Sequence, residues 1–342
     1  MTDNFDSRKQ DHIRLALDQR TQAVGQSGLE KIRLIHEALP DLDLEDVNLE
    51  TDYWGTSLAV PLFISSMTAG HQQGVLINSR LAHAAAERGW AMGVGSQRRE
   101  LSDPEAGLEW RNLRKQIPSG VLFGNLGLVQ VIKSPIDAIE KLVDSLQASA
   151  LFIHLNPLQE GLQPEGQPQF RGGEAKIAEL VRKLAVPIIL KEVGCGISAQ
   201  SLKRWSNLGL AAVDVAGLGG THWGRLEGYR SDPQHIKAQA ARTFADWGIS
   251  TLESLLEAGT LHLPFQLWGS GGVRTGLDAA KLIALGASKV GLAQPMLQAA
   301  LESEQNLRDQ MQQIEFELKL ALFCTGCKSP EELRARRLFR WN

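Results

Sequence analysis

From about residue 58 onward, short apolar runs rich in β-branched residues alternate with longer segments whose apolar residues recur at helical spacing. This alternation is typical of parallel strands joined by helical crossovers, and it predicts an α/β fold. Eight apolar runs are predicted as strands: Leu58–Ser66, Ala91–Ser96, Val121–Leu126, Ala150–Leu155, Pro187–Val193, Ala211–Gly217, Phe265–Gly271 and Lys289–Ala293. Helical periodicity lies between them over Val75–Arg88, Ile136–Gln147, Glu174–Leu184, Ala199–Leu208 and Gly276–Leu285.

Eight consecutive β/α units favour a closed (β/α)₈ TIM barrel over a doubly wound sheet, because the last units carry the glycine turn of a phosphate pocket. We predict a single domain with an N-terminal extension over residues 1–57, the barrel over 58–296 and a C-terminal helical tail over 297–342. The connection between Gly217 and Lys237 is unusually long for a compact domain. Loops of that length are usually functional or mobile, so we interpret this one as a candidate lid over the barrel mouth.

Composition narrows the choice of partners and compartment. The 342 residues carry 36 basic and 39 acidic side chains, a net charge of −3, so we expect neither a nucleic acid nor a membrane surface as partner. The chain starts with polar residues and has no apolar stretch near the roughly 20 residues of a membrane span. Three cysteines, an odd number, favour a reducing compartment and therefore the cytoplasm. We expect a small-molecule substrate and a homo-oligomer.

Polar residues and glycines gather at the carboxyl end of every predicted strand, which is where the active sites of such barrels lie. After the seventh strand, Gly271-Gly272 precedes a helix that is predicted to begin near Thr275. Glycines let a backbone approach an anion closely, and a helix N-terminus offers free N–H groups. Together with Ala293-Gln294 after the eighth strand, this pattern predicts a phosphate pocket. The alternative is a left-handed turn that holds no ligand.

Lys191 ends the apolar fifth strand, where a buried ammonium is costly unless it has a partner. A flavin would provide that partner, because the N1–C2=O edge of its ring gathers negative charge on reduction. The alternative is a lysine paired with a carboxylate such as Glu192 or Asp214.

A polar group follows the fourth strand and consists of His154, Asn156, Gln159 and Glu160. Glu160 is a candidate ligand for a hard cation such as Mg²⁺, which prefers oxygen ligands and substrate phosphates. The alternative for Glu160 is a solvated loop residue. The N-terminal extension carries three basic residues, Arg8, Lys9 and His12. The pattern alone favours a solvated charged end over an anion site for them.

Read together, these blocks resemble the type II isopentenyl-diphosphate isomerases from about residue 8 to about residue 333. The segments that carry the resemblance are Arg8–His12, Met67–Gly70, Gly95–Arg98, His154–Glu160, Lys191–Gly194, Gly219–Thr221, Trp268–Arg274 and Cys324–Gly326. The blocks around Gly95 and His154 are the most specific. Those after the last two strands occur in many FMN barrels.

The resemblance implies interconversion of isopentenyl and dimethylallyl diphosphate in isoprenoid biosynthesis, with reduced FMN, Mg²⁺ and a reductant such as NADPH and no net redox change. By position, it assigns FMN contacts to Ser66, Met67, Thr68, Ser96, Asn125, Lys191, Gly217, Thr221, Gly271, Gly272, Val273, Arg274, Ala293 and Gln294. It assigns the diphosphate to Arg8, Lys9, Ser96, Gln97, Arg98, His154, Asn156 and Gln159. It assigns Mg²⁺ to Glu160, and catalytic roles to His154, Gln159 and Lys191.

One departure and two rival functions stay open. The family often has Ser at the position of Ala216, so a side-chain contact to FMN at the sixth strand is in doubt and the Gly217 backbone is the candidate substitute. An FMN-dependent 2-hydroxy-acid oxidase or dehydrogenase shares the barrel and the phosphate pocket. It requires a histidine base and a pair of arginines for a carboxylate after the sixth and seventh strands, where Arg274 is present and the sixth-strand loop contains His222. A non-catalytic phosphate-binding barrel is the second rival.

Overall fold

A closed parallel barrel forms the centre of the computed structural model, which describes residues 11–69 and 72–342. Its eight strands follow one another around the barrel in chain order, which confirms the predicted (β/α)₈ fold. The strands, labelled β1 to β8, are Leu62–Ile64, Ala91–Gly93, Leu122–Gly127, Ala150–His154, Ile188–Lys191, Ala212–Asp214, Gln266–Gly269 and Lys289–Leu292. Each lies within a run predicted from the sequence, except that β3 extends one residue further, to Gly127.

Helices surround the barrel and bury their apolar faces against the strands. Labelled α1 to α14 in chain order, they are Gln72–Arg88, Gly107–Gln116, Leu128–Lys133, Ile136–Leu146, Pro157–Leu162, Gly173–Lys183, Ala199–Trp205, Trp223–Arg230, Ile236–Thr243, Thr251–Ala258, Gly276–Ala284, Gln294–Glu302, Glu304–Phe323 and Pro330–Arg336. Residues 11–16 are also helical. Among the described residues, no helix combines the length and the apolar character that a membrane crossing requires.

A layer of aromatic rings fills the amino-terminal end of the barrel. The hairpin formed by Thr51–Tyr53 and Thr56–Leu58 covers this end. Leu58 therefore belongs to the hairpin, whereas the sequence had predicted it as the start of the first barrel strand. Trp268 on β7 is fully buried, and its ring lies 5.1 to 6.0 Å from five other rings: Tyr53, Trp54, Phe63, Phe123 and Phe152.

The extension and the tail are joined by an antiparallel strand pair, in which Ile32–Leu34 lies beside Phe339–Trp341. The tail is therefore not wholly helical, because it ends in a strand whose partner lies about 300 residues earlier in the chain. The helix α13 ends at Phe323, and Gly326 follows with φ of +65°.

The long connection after β6 contains a helix that the sequence analysis had treated as loop. This helix, α8, begins after His222, whose ring nitrogen accepts a hydrogen bond from the N–H of Arg225 at 3.1 Å. It buries Leu226 and Glu227 completely. The prediction of an irregular segment was wrong, because two glycines in Trp223–Arg230 hide the helical pattern.

Candidate active site

The carboxyl ends of the eight strands open into a cleft that holds about 1450 Å³ of space, its mouth included. The cleft brings together every residue assigned above to the cofactor: Ser66, Met67, Thr68, Ser96, Asn125, Lys191, Gly217, Thr221, Gly271, Gly272, Val273, Arg274, Ala293 and Gln294. It also includes Arg98, His154, Asn156, Gln159 and Glu160. Arg8 and Lys9 lie outside the described residues. Three residues from the extension line the cleft: His12, Ile13 and Ala16.

Gln97 is the described site residue that the structure does not bring into the cleft. Its side chain is 1% exposed and donates to the carbonyl of Leu142 at 3.0 Å, outside the barrel wall. Its carbonyl oxygen accepts from the backbone N–H of Asn125 at 3.2 Å. Gln97 therefore braces the end of β3 and does not face the substrate side, because its side chain leaves the strand end in the opposite direction from Ser96.

The glycines after β7 make a close backbone-to-backbone contact with the loop after β6. Gly271 and Gly272 have φ of +101° and +81°, and a Cβ on Gly271 would lie 2.2 Å from the carbonyl oxygen of Gly217. A Cβ on Gly220 would lie 2.9 Å from the nitrogen of Gly272. Any side chain at these positions would push the two loops apart. The glycines thus keep a narrow backbone cradle, as a phosphate group requires.

The helix that follows this cradle caps its own N-terminus, contrary to the sequence-based expectation of free N–H groups there. Thr275 and Asp278 form a capping box, Asp278 also accepts from the N–H of Arg274, and the N–H of Gly276 donates to Glu317 at 2.7 Å. The helix after β8 differs. Its N-cap is Ala293, which has no side chain that caps the first turn. The available helix N-terminus is therefore that of α12, beside the Gly271-Gly272 turn.

Arg274 provides the fixed charge at this end of the cleft. Burial lowers the pKa of its guanidinium, with Asp278 acting in the opposite direction. Its NH2 group donates to the side-chain oxygen of Gln22 at 3.0 Å, and the side-chain amide of Gln22 donates to the Thr221 hydroxyl at 3.1 Å. The N–H of Ala23 bonds to the carbonyl of Gly220 at 2.8 Å. The extension thus holds Arg274 and Thr221 in place, a role that the sequence had not indicated for Gln22.

Three serine hydroxyls at the strand ends are buried and have no hydrogen-bond partner within the described chain: those of Ser65, Ser66 and Ser96. Buried hydroxyls in native proteins almost always have a partner, and each unpaired one costs about 1–3 kcal/mol. All three line the cleft. They fit a bound group that is rich in oxygen and nitrogen, such as the flavin ring and ribityl chain of FMN.

Lys191 lies between two buried carboxylates, neither of which forms a direct ion pair with it within 4.0 Å. Its ammonium donates to the backbone carbonyl of Glu192 at 2.7 Å. Burial lowers the pKa of Lys191, while the charges of Asp214 and Glu192 oppose that shift. His154, Lys191 and Asp214 occupy matching positions on β4, β5 and β6, so their side chains share one face of the barrel interior.

The segment that follows β6 contains a residue with an unusual backbone conformation. Ala216 has φ of +37°, a region that residues with a Cβ rarely adopt. The N–H of Gly217, the candidate substitute for a serine hydroxyl, already donates to the carbonyl of Ser270 at 3.0 Å. A hydrogen bond from that N–H to a cofactor is therefore excluded in this arrangement, which leaves the Gly217 carbonyl as the polar group there.

Glu227 on α8 is the centre of a buried network that sequence reasoning missed. Its carboxylate is bonded by His12 at 3.1 Å, by the Gln159 amide at 3.1 Å and by Arg230. Burial alone would raise the pKa of Glu227, but these hydrogen bonds and the charges of His12 and Arg230 lower it. The His12 and Trp223 rings are nearly perpendicular, with their centroids 5.2 Å apart. The extension and α8 thus close over one side of the mouth.

The polar group after β4 presents oxygen atoms to the cleft. The side-chain oxygen of Asn156 is buried without a partner in the described chain, while its amide donates to Gln159 at 3.0 Å. Glu160 accepts from the N–H of Gln167 at 2.8 Å with one oxygen. Within the described residues, no three His, Cys, Asp or Glu side chains cluster as a metal site. His154 bonds to the Asn125 side chain at 2.9 Å.

The rival histidine, His222, is not placed as a base. It is fully buried, caps α8 with one ring nitrogen and contacts the carbonyl of Trp247 at 3.0 Å with the other. Burial is the main cause that lowers its pKa. Both ring nitrogens are engaged, and His222 does not line the cleft.

Comparison with known proteins gives a consistent result. The chain is 53% identical over 340 residues to the isopentenyl-diphosphate delta-isomerase of Bdellovibrio bacteriovorus, covering 98% of each chain. It is 52% identical to the enzyme of that name from Legionella pneumophila, covering 97% of each chain. It is 44% identical to that of a Nostoc species, with 96% of this chain and 94% of the relative covered.

The wider relationship extends to flavin enzymes of other activities. The family model of the FMN-dependent dehydrogenases matches residues 159–340. Among solved structures, flavocytochrome b2 shares the fold with a TM-score of 0.68 and 18% identity, covering 96% of this chain and 81% of that one. Mandelate oxidase does so with a TM-score of 0.64 and 19% identity, covering 97% and 92%.

Proposed function

This chain belongs to the FMN-dependent isopentenyl-diphosphate delta-isomerases, and from that premise we propose that it interconverts isopentenyl and dimethylallyl diphosphate. The observation that supports the proposal is one cleft that is lined by basic side chains at two of its ends. One end is the cradle after β7 and β8 with Arg274. The other, across the barrel, is formed by Arg98, His154 and Asn156. Two such ends suit a phosphorylated cofactor together with a phosphorylated substrate.

Each part of the cleft has a task in this reaction. Moving a double bond requires a proton to be added at one carbon and removed at another, which demands well-placed acid and base groups and the exclusion of water. Bound FMN would supply, in its reduced form, an acid–base group at the alkene. Lys191 would favour the anionic reduced flavin, and Gln159, held by Glu227, would orient the alkene end. His12 and Trp223 would keep water out.

The direct test of the proposed function is to measure the conversion of isopentenyl diphosphate into dimethylallyl diphosphate. Protein reconstituted with FMN is incubated anaerobically with NADPH, Mg²⁺ and isopentenyl diphosphate, and dimethylallyl diphosphate is measured by mass spectrometry. We expect product that depends on FMN and on its reduction. If lactate or mandelate bleaches the flavin while no allylic product forms, a 2-hydroxy-acid dehydrogenase is the function. FMN retention without either reaction would indicate a non-catalytic barrel.

For the metal, we propose that Glu160 holds Mg²⁺ together with the substrate diphosphate. Mg²⁺ usually binds through one or two carboxylates and substrate phosphates, so a site without a three-residue cluster suits it. Glu160→Gln should weaken the Mg²⁺ dependence of activity while FMN affinity stays unchanged. Asp232→Asn, at an exposed carboxylate outside the cleft, is the control. Loss of FMN binding with a normal Mg²⁺ response would remove Glu160 from this role.

For the substrate, we propose that Arg8 and Lys9 contact the diphosphate. The proposal is supported by His12, which is close to them in sequence and lines the cleft. A charge-assisted hydrogen bond to phosphate contributes about 1.5–3 kcal/mol, so Arg8→Ala or Lys9→Ala should raise the KM roughly tenfold or more. Arg14→Ala is the control, because Arg14 is exposed and pairs with Asp11 at 3.1 Å. A wild-type KM in both variants would contradict the proposal.

We also propose NADPH as the reductant, a homo-oligomeric state and a cytoplasmic location. NADPH as reductant is tested by comparing the rates of flavin bleaching with NADPH and NADH. A homo-oligomer is supported by large apolar side chains exposed beyond the mouth, namely Tyr229, Ile236 and Trp247. Light scattering on the purified protein measures its mass directly. Fractionation of cells tests the cytoplasmic location.

A further inference from the structure

The buried surroundings of Lys191 contain two carboxylates, and their geometry assigns them different tasks. Glu192 is the next residue in the chain, so its side chain points to the opposite side of the strand. One of its oxygens accepts three backbone N–H groups, from Val193 at 2.6 Å, Gly194 at 2.9 Å and Cys195 at 2.6 Å. Burial raises the pKa of Glu192 to about 7. Glu192 thus serves the turn after β5 and is not a dedicated partner of the ammonium.

Asp214 is placed differently. It is the register partner of Lys191 across β5 and β6, so both side chains share the interior face. It is completely buried. The hydroxyl of Ser270 donates to the two carboxylate oxygens of Asp214, at 2.8 and 2.9 Å, and the N–H of Ala216 adds a contact at 3.3 Å. Burial raises the pKa of Asp214, whereas the Lys191 charge and these donors oppose that shift because they stabilise the ionised carboxylate. Lys191 itself bonds to a backbone carbonyl and keeps donors for the cleft.

Ser270 connects this pair to the phosphate end. It immediately precedes Gly271, and its carbonyl accepts from Gly217 at 3.0 Å and from the Thr251 hydroxyl at 3.2 Å. The position of its hydroxyl is therefore fixed by the same loop that forms the cradle. A group bound in the cradle and the carboxylate behind Lys191 are joined through one short, hydrogen-bonded segment.

We infer that Asp214, held by Ser270, is a positioning residue that keeps the buried Lys191 ammonium charged, so that Lys191 and Asp214 together set how readily bound FMN is reduced. This inference rests on FMN as the cofactor and does not require the isomerase activity. Without a nearby negative charge, a buried lysine loses its proton more easily. A neutral Lys191 would no longer favour the anionic reduced flavin.

The sign of the change in midpoint potential tests the inference. In the FMN-loaded protein, Asp214→Asn should lower the two-electron potential, because Lys191 loses charge. A tenfold weaker preference for reduced over oxidised FMN corresponds to about 30 mV. If Asp214 instead acted on the flavin directly, removing its negative charge would raise the potential. A potential that rises or stays unchanged overturns the inference.

The double variant of Lys191→Met and Asp214→Asn distinguishes an effect through the Lys191 ammonium from a direct effect of Asp214 on the flavin. In Lys191→Met, the potential should already be lowered, and adding Asp214→Asn should change it no further, since the effect passes through the ammonium. Additive shifts would contradict this. Ser270→Ala, which keeps the carboxylate but removes its hydroxyl donor, should lower the potential by a smaller amount and is the second variant if Asp214→Asn does not fold. Glu192→Gln is the matched comparison and should lower the potential less than Asp214→Asn, because the Glu192 charge acts on Lys191 more weakly than the Asp214 charge does. FMN binding without isomerase activity would sink the proposed function and leave this measurement intact.

Discussion

Two lysines are buried to the same extent at opposite ends of one barrel. Lys191 ends β5 at the mouth, and Lys289 begins β8 at the base, and each is 4% exposed. The Lys289 ammonium donates to the Thr51 hydroxyl and lies 4.8 Å from the centre of the Tyr53 ring. The Lys191 ammonium donates to the backbone carbonyl of Glu192 and faces the cleft. The difference is that the ammonium at the base contacts side chains of the hairpin, whereas the ammonium at the mouth faces the cleft in which a ligand would bind.

The same contrast runs through the other buried groups of the two ends. At the base, rings pack against rings and the Trp268 indole N–H donates to Gln266 at 3.0 Å. At the mouth, hydroxyls such as that of Ser66 are buried without a partner in the described chain. The polar groups named here at the base have protein partners, while those at the mouth lack them among the described residues. Substitutions at the base should therefore change the free energy of unfolding, and substitutions at the mouth should change the affinity for the ligand.

The largest effect is expected at the base. Trp268→Ala removes a fully buried ring that contacts five others, so the free energy of unfolding should fall by about 3–5 kcal/mol. Urea unfolding followed by circular dichroism measures it. Trp247→Ala, at a ring that is 59% exposed, is the control and should change stability by less than about 0.5 kcal/mol. Equal losses in both variants would refute the role of the aromatic layer.

The second effect concerns Lys289 and alkaline pH. Burial lowers its pKa from 10.5 to about 8, with Glu331 and Asp52 opposing the shift and Arg334 adding to it. Below pH 8 both folded and unfolded chains carry the charge, and the folded chain bears the cost of burying it. Between pH 8 and 10.5 the folded chain releases its proton first, so stability should rise with pH, by up to about 3 kcal/mol.

Lys289→Met isolates this contribution, because the variant has no ammonium to titrate. The stability of the wild type minus that of the variant should rise across this pH window, as measured by urea unfolding at a series of pH values. A difference that is flat with pH would show that the ammonium stays charged in the folded protein.

The third effect belongs to the mouth. Lys191→Met should weaken FMN binding by about 1.5–3 kcal/mol, or roughly ten- to hundredfold, because it removes a charged donor to the flavin. Flavin fluorescence quenching measures the affinity. Lys289→Met removes an equally buried ammonium and should leave FMN affinity unchanged. If both variants lose FMN equally, the contrast between the two lysines fails.

The smallest effect is expected at Ser66. Its hydroxyl is buried without a partner in the described chain, so Ser66→Ala should stabilise the FMN-free protein by about 1 kcal/mol while weakening FMN binding by a similar amount. Thermal unfolding without FMN and a flavin titration measure the two. Ser198→Ala, which removes the N-cap of α7, should destabilise without affecting FMN. A loss of stability in Ser66→Ala would mean that its hydroxyl is satisfied by water.

The barrel could be predicted because each strand is a short apolar run between helical patterns, a signal that does not depend on distant contacts. Helix α8 could not be predicted, because Gly224 and Gly228 lower its helical propensity and because it buries Leu226 and Glu227 in contacts with distant parts of the chain. The self-capping of α11 was readable: Thr275 and Asp278 have the spacing of a capping box.

For the site, side-chain directions and contacts between residues far apart in the chain could not be predicted from the sequence. Ser96 and Gln97 are neighbours at one strand end, and only the fold shows that the first faces the cleft and the second Leu142. Glu227 meets His12 over 215 residues of chain, a pairing that no local pattern encodes. The glycines at the phosphate end were found because their sequence signature is local.

Gln22 has a consequence for the exchange of the cofactor. It joins the extension to Arg274 and Thr221, while the neighbouring Ala23 is bonded to Gly220. Because these contacts hold the extension beside the Gly271-Gly272 cradle, we expect a group bound there to exchange only as fast as this segment detaches. Such a closure would slow arrival and departure together, so the residence time would depend on the opening of the extension. The cofactor would then be retained without needing exceptional affinity.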